Sequence, residues 1–210
     1  ILDNGTTAMT GQQEHPGTGR TLDHQPTGRV IYEDLVRSLG AEIKGKKCLV
    51  LGDGGVAPTI RAVLSDMGAG SIVTVSRRGE DNYENIARHA DADVLVNTTP
   101  VGMYPKNGTA AVDITTFSHL SAVLDVVYNP NRTKLVLDAQ RLGIPAAGGL
   151  LMLSAQAKRA CELFTGREIA EERIKEVADA IAFEMKNIAI IGMPGCGKSS
   201  AGRELSKLTG

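Results

Sequence analysis

Aromatic side chains are scarce in this chain of 210 residues, which has 3% aromatic residues and no tryptophan. Proteins that hold single-stranded nucleic acid stack its bases on aromatic rings, so the composition argues against that class. The formal net charge is −1, which leaves no excess of one sign to attract nucleic acid or a membrane surface. We therefore expect no nucleic-acid partner and no membrane partner.

Long apolar runs, a leader pattern and paired cysteines are also lacking. No run approaches the roughly 20 apolar residues of a membrane helix, and the first residues lack the basic and then apolar order of a signal peptide. The three cysteines, Cys48, Cys161 and Cys196, have no disulfide-framework spacing, which favours a reducing, cytoplasmic location. We expect Cys48 and Cys161 to be small buried hydrophobes. Because the chain starts at Ile1, we expect a fragment.

Short apolar runs alternate with amphipathic segments through the middle of the chain. The runs are continuous, as expected for a parallel sheet that is covered on both faces. The alternation predicts a doubly wound, Rossmann-like α/β fold, followed by two C-terminal helices over 150–164 and 168–185. The other predicted elements are helices over 29–39, 56–67, 82–89 and 133–142 and strands over 47–51, 72–75, 94–96, 122–127 and 144–146.

A first glycine-rich loop lies between a predicted strand and a predicted helix, at Gly52-Asp53-Gly54-Gly55. Gly52 allows a tight turn, and Gly54 and Gly55 let backbone amides approach a pyrophosphate at the helix N-terminus. Asp53 would repel a phosphate unless its carboxylate points away. The pattern favours a dinucleotide site, and the alternative is a glycine turn with no ligand.

The end of the second predicted strand selects the dinucleotide. An acidic residue there would bind the ribose hydroxyls of NAD, whereas this chain has Ser76-Arg77-Arg78. Guanidinium groups suit a 2′-phosphate, so the turn favours NADP over NAD. The alternative is a solvated basic turn that Glu80 and Asp81 neutralise.

A second glycine-rich loop, Gly192 to Ser199, fits the complete P-loop pattern GxxxxGKS. We predict a strand from 187 before it and a helix over 199–208 after it. Backbone amides of such a loop wrap phosphates, a lysine meets the β and γ oxygens, and a serine binds Mg²⁺. The residues predicted for ATP are Gly192, Gly195, Gly197, Lys198 and Ser199, with Ser199 as the Mg²⁺ ligand only in a complete kinase.

Five segments together resemble shikimate dehydrogenases over residues 30–166. They are 47–55 (KCLVLGDGG), 76–78 (SRR), 97–103 (NTTPVGM), 125–130 (DVVYNP) and 148–156 (GGLLMLSAQ). The resemblance implies an oxidoreductase that interconverts 3-dehydroshikimate and shikimate with NADP(H) in aromatic amino-acid biosynthesis. The cofactor-binding residues that it implies are Gly52, Gly54, Gly55, Val56, Ser76, Arg77, Arg78, Thr98, Thr99, Pro100, Val101, Tyr128, Gly149 and Met152.

The same resemblance implies that Gln156 binds the substrate. The chain also departs from the family at one position. The family handles the hydroxyl proton with a Lys–Asp pair from a separate N-terminal domain. At the matching position of the catalytic Asp this chain has Thr27, which has no carboxylate to act as a base. We therefore expect a fragment that binds NADP(H) and barely oxidises shikimate.

The segment from 187 resembles the start of shikimate kinase, so the resemblance implies a bifunctional dehydrogenase and kinase as the parent protein. It divides the chain into a remnant of the substrate domain (1–28), an NADP domain with a C-terminal helix (29–166), a helix or linker (167–186) and a truncated kinase segment (187–210). Two alternatives stay open: a non-catalytic NADP-binding module, and a P-loop phosphotransferase with an accessory Rossmann domain. The oligomeric state is left open.

Overall fold

The central element is a five-stranded parallel sheet. The computed structural model describes residues 33, 35–37, 40–186 and 188–209. The strand order is β2-β1-β3-β4-β5, so the chain reverses its direction of travel between β1 and β3. The five strands are β1 (Lys47–Leu51), β2 (Ser71–Val75), β3 (Val94–Asn97), β4 (Ala122–Asp125) and β5 (Ala146–Ala147).

Five α-helices surround or follow this sheet in the part of the chain that is described. The first begins where the sequence predicts, with Val56 as its N-cap residue and Pro58 in its first turn, where the missing N–H is tolerated. The predicted helix over 29–39 lies mostly outside the described residues. The helices are α1 (Ala57–Asp66), α2 (Lys134–Arg141), α3 (Leu150–Thr165), α4 (Glu172–Glu184) and α5 (Lys198–Thr209), and two 3₁₀ helices span Ile86–His89 and Ile114–Thr116.

The three central strands, β1, β3 and β4, are buried on both faces, which confirms the two-sided covering predicted from their continuous hydrophobicity. Along β1, Cys48 and Val50 pack into one core cluster with α1, and Leu49 and Leu51 pack into a second cluster with α2. Residues of β3 and β4 alternate between the two clusters in the same way. Burial raises the pKa of the Cys48 thiol to about 12, so this cysteine is the buried hydrophobe that we expected.

Three sequence-based expectations were wrong. The predicted helix over 82–89 is a 3₁₀ turn at Ile86–His89, because Asn82 Oδ1 accepts the N–H groups of Glu84 and Asn85 and closes a local turn instead. Residues 188–191 form no strand and lie exposed, and the described residues offer no neighbouring strand to pair with them. Cys161 is exposed, because it follows the turns of α3 that bury Leu150, Ser154, Ala155 and Lys158.

A buried lysine joins α3 to α4. The Lys158 side chain is 5% exposed, and its Nζ lies 3.1 Å from Glu162 Oε1 and 2.6 Å from Glu171 Oε1. These contacts compensate the burial of the ammonium group, and Ala155 packs against Ile174 beside them. An ion-pair cluster and apolar packing therefore hold the two helices together. None of the helices in the described residues is long and apolar enough to cross a membrane.

Candidate functional site

A cleft of about 530 Å³ lies at the carboxyl ends of β1, β2 and β3. In a parallel sheet the loops that follow adjacent strands meet at one edge, and ligands bind where the strand order reverses. That position lies here between β1 and β3. The lining residues are Gly52, Asp53, Gly54, Ser76, Arg77, Tyr83, Thr98, Thr99, Pro100, Val101, Ala110 and Ala111.

The first glycine-rich loop and the loop after β3 pack directly against each other. Gly52 has φ +99°, and a Cβ added there would come within 2.8 Å of Thr99 Cγ2, so a larger residue fits neither the turn nor the contact. Thr98 fixes the same junction, since its N–H and its hydroxyl donate to Leu51 O at 2.9 and 2.7 Å. By contrast, a Cβ added to Gly54 or Gly55 would meet no other atom within 4 Å. The backbone is therefore open where the sequence predicts phosphate.

A buried polar network supports the loop after β3. Asn97 and Asp125 are both 0% exposed, and Asn97 Nδ2 donates to Asp125 Oδ1 at 2.9 Å. The other carboxylate oxygen accepts the hydroxyl of Thr133 at 2.7 Å, which is the N-cap residue of α2. On the cleft side, Thr99 Oγ1 donates to Asn97 Oδ1 at 2.6 Å. The network thus couples the cleft to the start of α2.

Burial raises the pKa of Asp125 above its ordinary value, although the hydrogen bonds from Thr133, Val127 and Asn97 oppose the shift. Between the unfolded and the folded pKa, the folded state holds a proton that the unfolded state has released, so this contribution to the free energy of unfolding falls as pH rises from about 4 through the folded pKa. We expect Asp125→Asn to remove this pH dependence of the free energy of unfolding. Urea unfolding at several pH values between about 3.5 and 7 measures it. Asp125→Ala orphans buried donors and should cost about 2 kcal/mol. Equal slopes in wild type and Asp125→Asn would contradict the assignment.

The turn after β2 brings Arg77 to the cleft and leaves Arg78 outside its lining. Ser76 is buried and its N–H donates to Asp81 O at 3.0 Å. Arg77 is exposed and has no ion pair or hydrogen bond with any residue that the structure describes. Tyr83, which the sequence did not single out, lines the cleft with Arg77. Burial raises the pKa of the Tyr83 hydroxyl, while the charge of Arg77 lowers it.

Three further predicted residues lie on the loop after β4 and at the start of α3, and they are not among the residues that line the cleft. Gly149 is the N-cap residue of α3, and its N–H donates to Val127 O at 2.9 Å. Tyr128 is 43% exposed, and Met152 packs against the first core cluster. Gln156 is exposed one turn further along α3. Thr27 lies outside the described residues.

The second glycine-rich loop folds as a closed turn before α5. Gly195 and Gly197 have φ values of +79° and +84°. Lys198 Nζ donates back to Gly192 O at 2.9 Å and to Met193 O at 2.7 Å. Ser199 lies in the first turn of α5. The loop lies apart from the dinucleotide cleft, since none of its residues lines that cleft.

The amino-acid sequence is similar to those of shikimate dehydrogenases. A shikimate dehydrogenase (NADP⁺) of Clostridium perfringens is 34% identical over 174 residues, which are 75% of this chain and 62% of that protein. One from Methanosarcina acetivorans is 33% identical over 182 residues, which are 76% of this chain and 64% of that protein. About 75% of this chain is homologous to shikimate dehydrogenases. No family model matches the chain.

Solved structures extend the homology to the fold. A chorismate mutase/shikimate 5-dehydrogenase fusion protein from Clostridium acetobutylicum superposes with a TM-score of 0.71 at 30% identity, over 77% of this chain and 63% of that one. A shikimate 5-dehydrogenase from Listeria monocytogenes, solved in complex with shikimate and NAD, superposes with a TM-score of 0.60 at 25% identity, over 72% of this chain and 62% of that one. The chain thus spans less than two thirds of the relatives it matches. The five-stranded sheet with C-terminal helices is an arrangement that these shikimate dehydrogenases share.

Proposed function

We propose that this chain supplies the NADP(H)-binding part of a shikimate dehydrogenase, an oxidoreductase that interconverts 3-dehydroshikimate and shikimate. One observation carries the proposal: a single cleft joins the glycine-rich loop after β1 to the guanidinium of Arg77, which has no ion pair among the described residues. The first is suited to a pyrophosphate and the second to an additional phosphate group. The homology to shikimate dehydrogenases over 75% of the chain supports the substrate assignment.

The residues present fit the dinucleotide. The backbone of Gly54 and Gly55 is open, and Val56, as the N-cap residue of α1, makes no side-chain cap that would compete with a phosphate for the helix N-terminus. The adjacent wall is formed by Thr98 and Thr99. The bound cofactor supplies the hydride chemistry. The protein's part is to hold it at the sheet edge and to keep its ribose phosphate beside Arg77, with Ser76 and Arg78 in the same turn.

The substrate side is proposed from homology alone. Tyr128, Gly149 and Met152 border the proposed nicotinamide position, and exposed Gln156 on α3 is the proposed contact to shikimate or 3-dehydroshikimate. Thr27 stands where the family has a catalytic Asp, so no carboxylate at that position can accept the hydroxyl proton. We accordingly propose that the chain binds NADP(H) and turns shikimate over far more slowly than a complete shikimate dehydrogenase.

Titration of the chain with NADPH and with NADH, followed by cofactor fluorescence, tests the proposal. We expect saturable binding of both dinucleotides and at least about tenfold tighter binding of NADPH, because a charged hydrogen-bonded phosphate contact is worth about 1.5 to 3 kcal/mol. Absence of binding to either one would refute the proposal. A parallel assay with shikimate and NADP⁺ should give barely detectable NADPH formation, and turnover equal to that of a complete shikimate dehydrogenase would show that Thr27 is not the limiting departure.

The P-loop at Gly192–Ser199 carries a second proposal, that this segment is the start of a shikimate kinase in a bifunctional protein. The helix α5 directly after the loop and the ammonium of Lys198, which donates to Gly192 O and Met193 O of the loop, support it. In a complete kinase the amides of Gly195 and Gly197 would hold ATP phosphates and Ser199 would hold Mg²⁺. We expect the chain itself to bind MgATP only in the millimolar range, measured by calorimetry. Unchanged binding in Lys198→Ala would contradict the assignment of the loop.

A further inference from the structure

The turn that carries Arg77 is closed by its own backbone. Ser76 N–H donates to Asp81 O at 3.0 Å, and a Cβ added to Gly79 would lie 2.9 Å from Ser76 Oγ. Asn85 Nδ2 donates to Glu80 O at 2.9 Å and ties the turn to the next segment. Arg77 is thus presented to the cleft from a compact turn.

Sequence alone favours an ion pair inside this turn, because Arg77 and Asp81 carry opposite charges only four positions apart. The described structure has no such pair. The carboxylate of Asp81 is engaged instead by His89, whose Nε2 lies 2.8 Å from Asp81 Oδ1. A carboxylate only accepts hydrogen bonds, so Nε2 carries the hydrogen and donates it.

His89 has little else to hold it. Its side chain is 14% exposed, and its Nδ1 is buried with no hydrogen-bond partner in the part of the chain that is described. The other carboxylate near the ring belongs to Asp91, which is bound by Lys47 Nζ at 2.5 Å. The ring is therefore oriented by Asp81, and each of the two side chains fixes the other.

We propose that His89 is a positioning residue for cofactor choice: it holds the carboxylate of Asp81 away from Arg77 and thereby keeps the guanidinium available to the 2′-phosphate of NADP. The inference rests on the proposed function, and it concerns a side chain that does not line the cleft. Without His89, the Asp81 carboxylate loses its partner inside the turn that carries Arg77. It then pairs with Arg77 or repels the incoming phosphate, and both effects weaken NADPH binding and spare NADH.

The decisive variant is His89→Leu, assayed by fluorescence titration with both dinucleotides. We expect the Kd for NADPH to rise about five- to tenfold and the Kd for NADH to stay within about twofold. This is less than the loss of a whole charged contact, because Arg77 itself remains in the turn. Retained NADH binding also reports that the variant is folded. Arg88→Ala, an exposed neighbour in the same 3₁₀ turn, is the matched control and should leave both Kd values unchanged.

Two further variants separate charge from packing. His89→Gln keeps an N–H donor at the same number of bonds from Cα as Nε2, so it should retain most of the NADPH affinity that His89→Leu loses. His89→Leu with Asp81→Asn removes the released carboxylate, so it should bind NADPH more tightly than His89→Leu alone. A purely structural role for His89 gives the opposite order, because the double variant loses both halves of the contact.

The outcomes for the two proposals differ. If wild type binds neither dinucleotide, the proposed function fails and this inference fails with it. If wild type prefers NADPH but His89→Leu weakens the binding of NADPH and NADH equally, the proposed function stands and the role of His89 is refuted. The same conclusion follows if adding Asp81→Asn to His89→Leu recovers no NADPH affinity. A preference unchanged in His89→Leu would refute it as well.

Discussion

Replacing Gly149 with alanine is expected to lower the free energy of unfolding by about 3 kcal/mol, since overpacking against rigid neighbours has costs of this size. A Cβ at this position would lie 2.1 Å from Val126 O and 2.7 Å from Val126 C. Both atoms belong to the backbone after β4, which cannot rotate away as a side chain would. The start of α3 must therefore move away from the sheet and lose the hydrogen bond from Gly149 N–H to Val127 O.

Thermal unfolding followed by circular dichroism measures this effect as a fall of about 6 to 12 °C in the midpoint. The matched control is Gly54→Ala, where the added methyl group meets no other atom within 4 Å. We expect that control to keep its midpoint within about 2 °C and to lose affinity for NADPH, because its methyl group would occupy the path of the pyrophosphate. An unchanged midpoint in Gly149→Ala would show that α3 can be displaced without cost.

The sheet could be predicted from sequence because two local signals mark its strands. Each is a short continuous apolar run, and the runs at 47–51 and 72–75 are separated by a segment with clear helical periodicity. Burial on both faces requires this pattern, and the structure places alternate residues of β1 in the two core clusters. Fold class and helix positions follow from such local signals.

The failures have physical causes that a single segment does not show. At 82–89 the apolar spacing is helical, but Asn82 offers its side-chain oxygen to nearby amides and a helix does not form. At 188–191 the isoleucines have strong strand propensity, yet a strand needs a partner. Ile191 is 94% exposed. Strand propensity therefore predicted the conformation that this segment favours, but it could not predict whether a partner strand lies beside it.

The candidate site was predictable where chemistry lies in the backbone and less so where it lies in side-chain networks. The glycine-rich loop and Arg77 meet at the cleft as the spacing indicates. The sequence analysis did not predict the hydrogen-bond network of Asn97 and Asp125. Each of these polar residues ends a buried apolar strand, and that placement is a signal that could have identified them. Nothing local indicates that His89 binds Asp81, because that contact depends on how the turn after β2 closes.

Arg77→Ala is expected to weaken NADPH binding by about ten- to a hundredfold and to change NADH binding by less than about threefold, because it removes one charged partner of the 2′-phosphate. The fold itself does not settle the preference, since a similar sheet in the shikimate 5-dehydrogenase from Listeria monocytogenes was solved with NAD. The choice must then lie in local side chains, and Arg77 is the cleft-lining arginine of the turn after β2. Fluorescence titrations at two ionic strengths measure the contribution of Arg77 to NADPH binding. We expect the NADPH Kd of wild type to depend more strongly on salt than that of the variant. Arg78→Ala alters the exposed arginine of the same turn that does not line the cleft, and we expect it to cost less NADPH affinity than Arg77→Ala. Equal effects of the two variants, or equal losses for NADPH and NADH, would mean that the turn attracts the dinucleotide only through its overall charge.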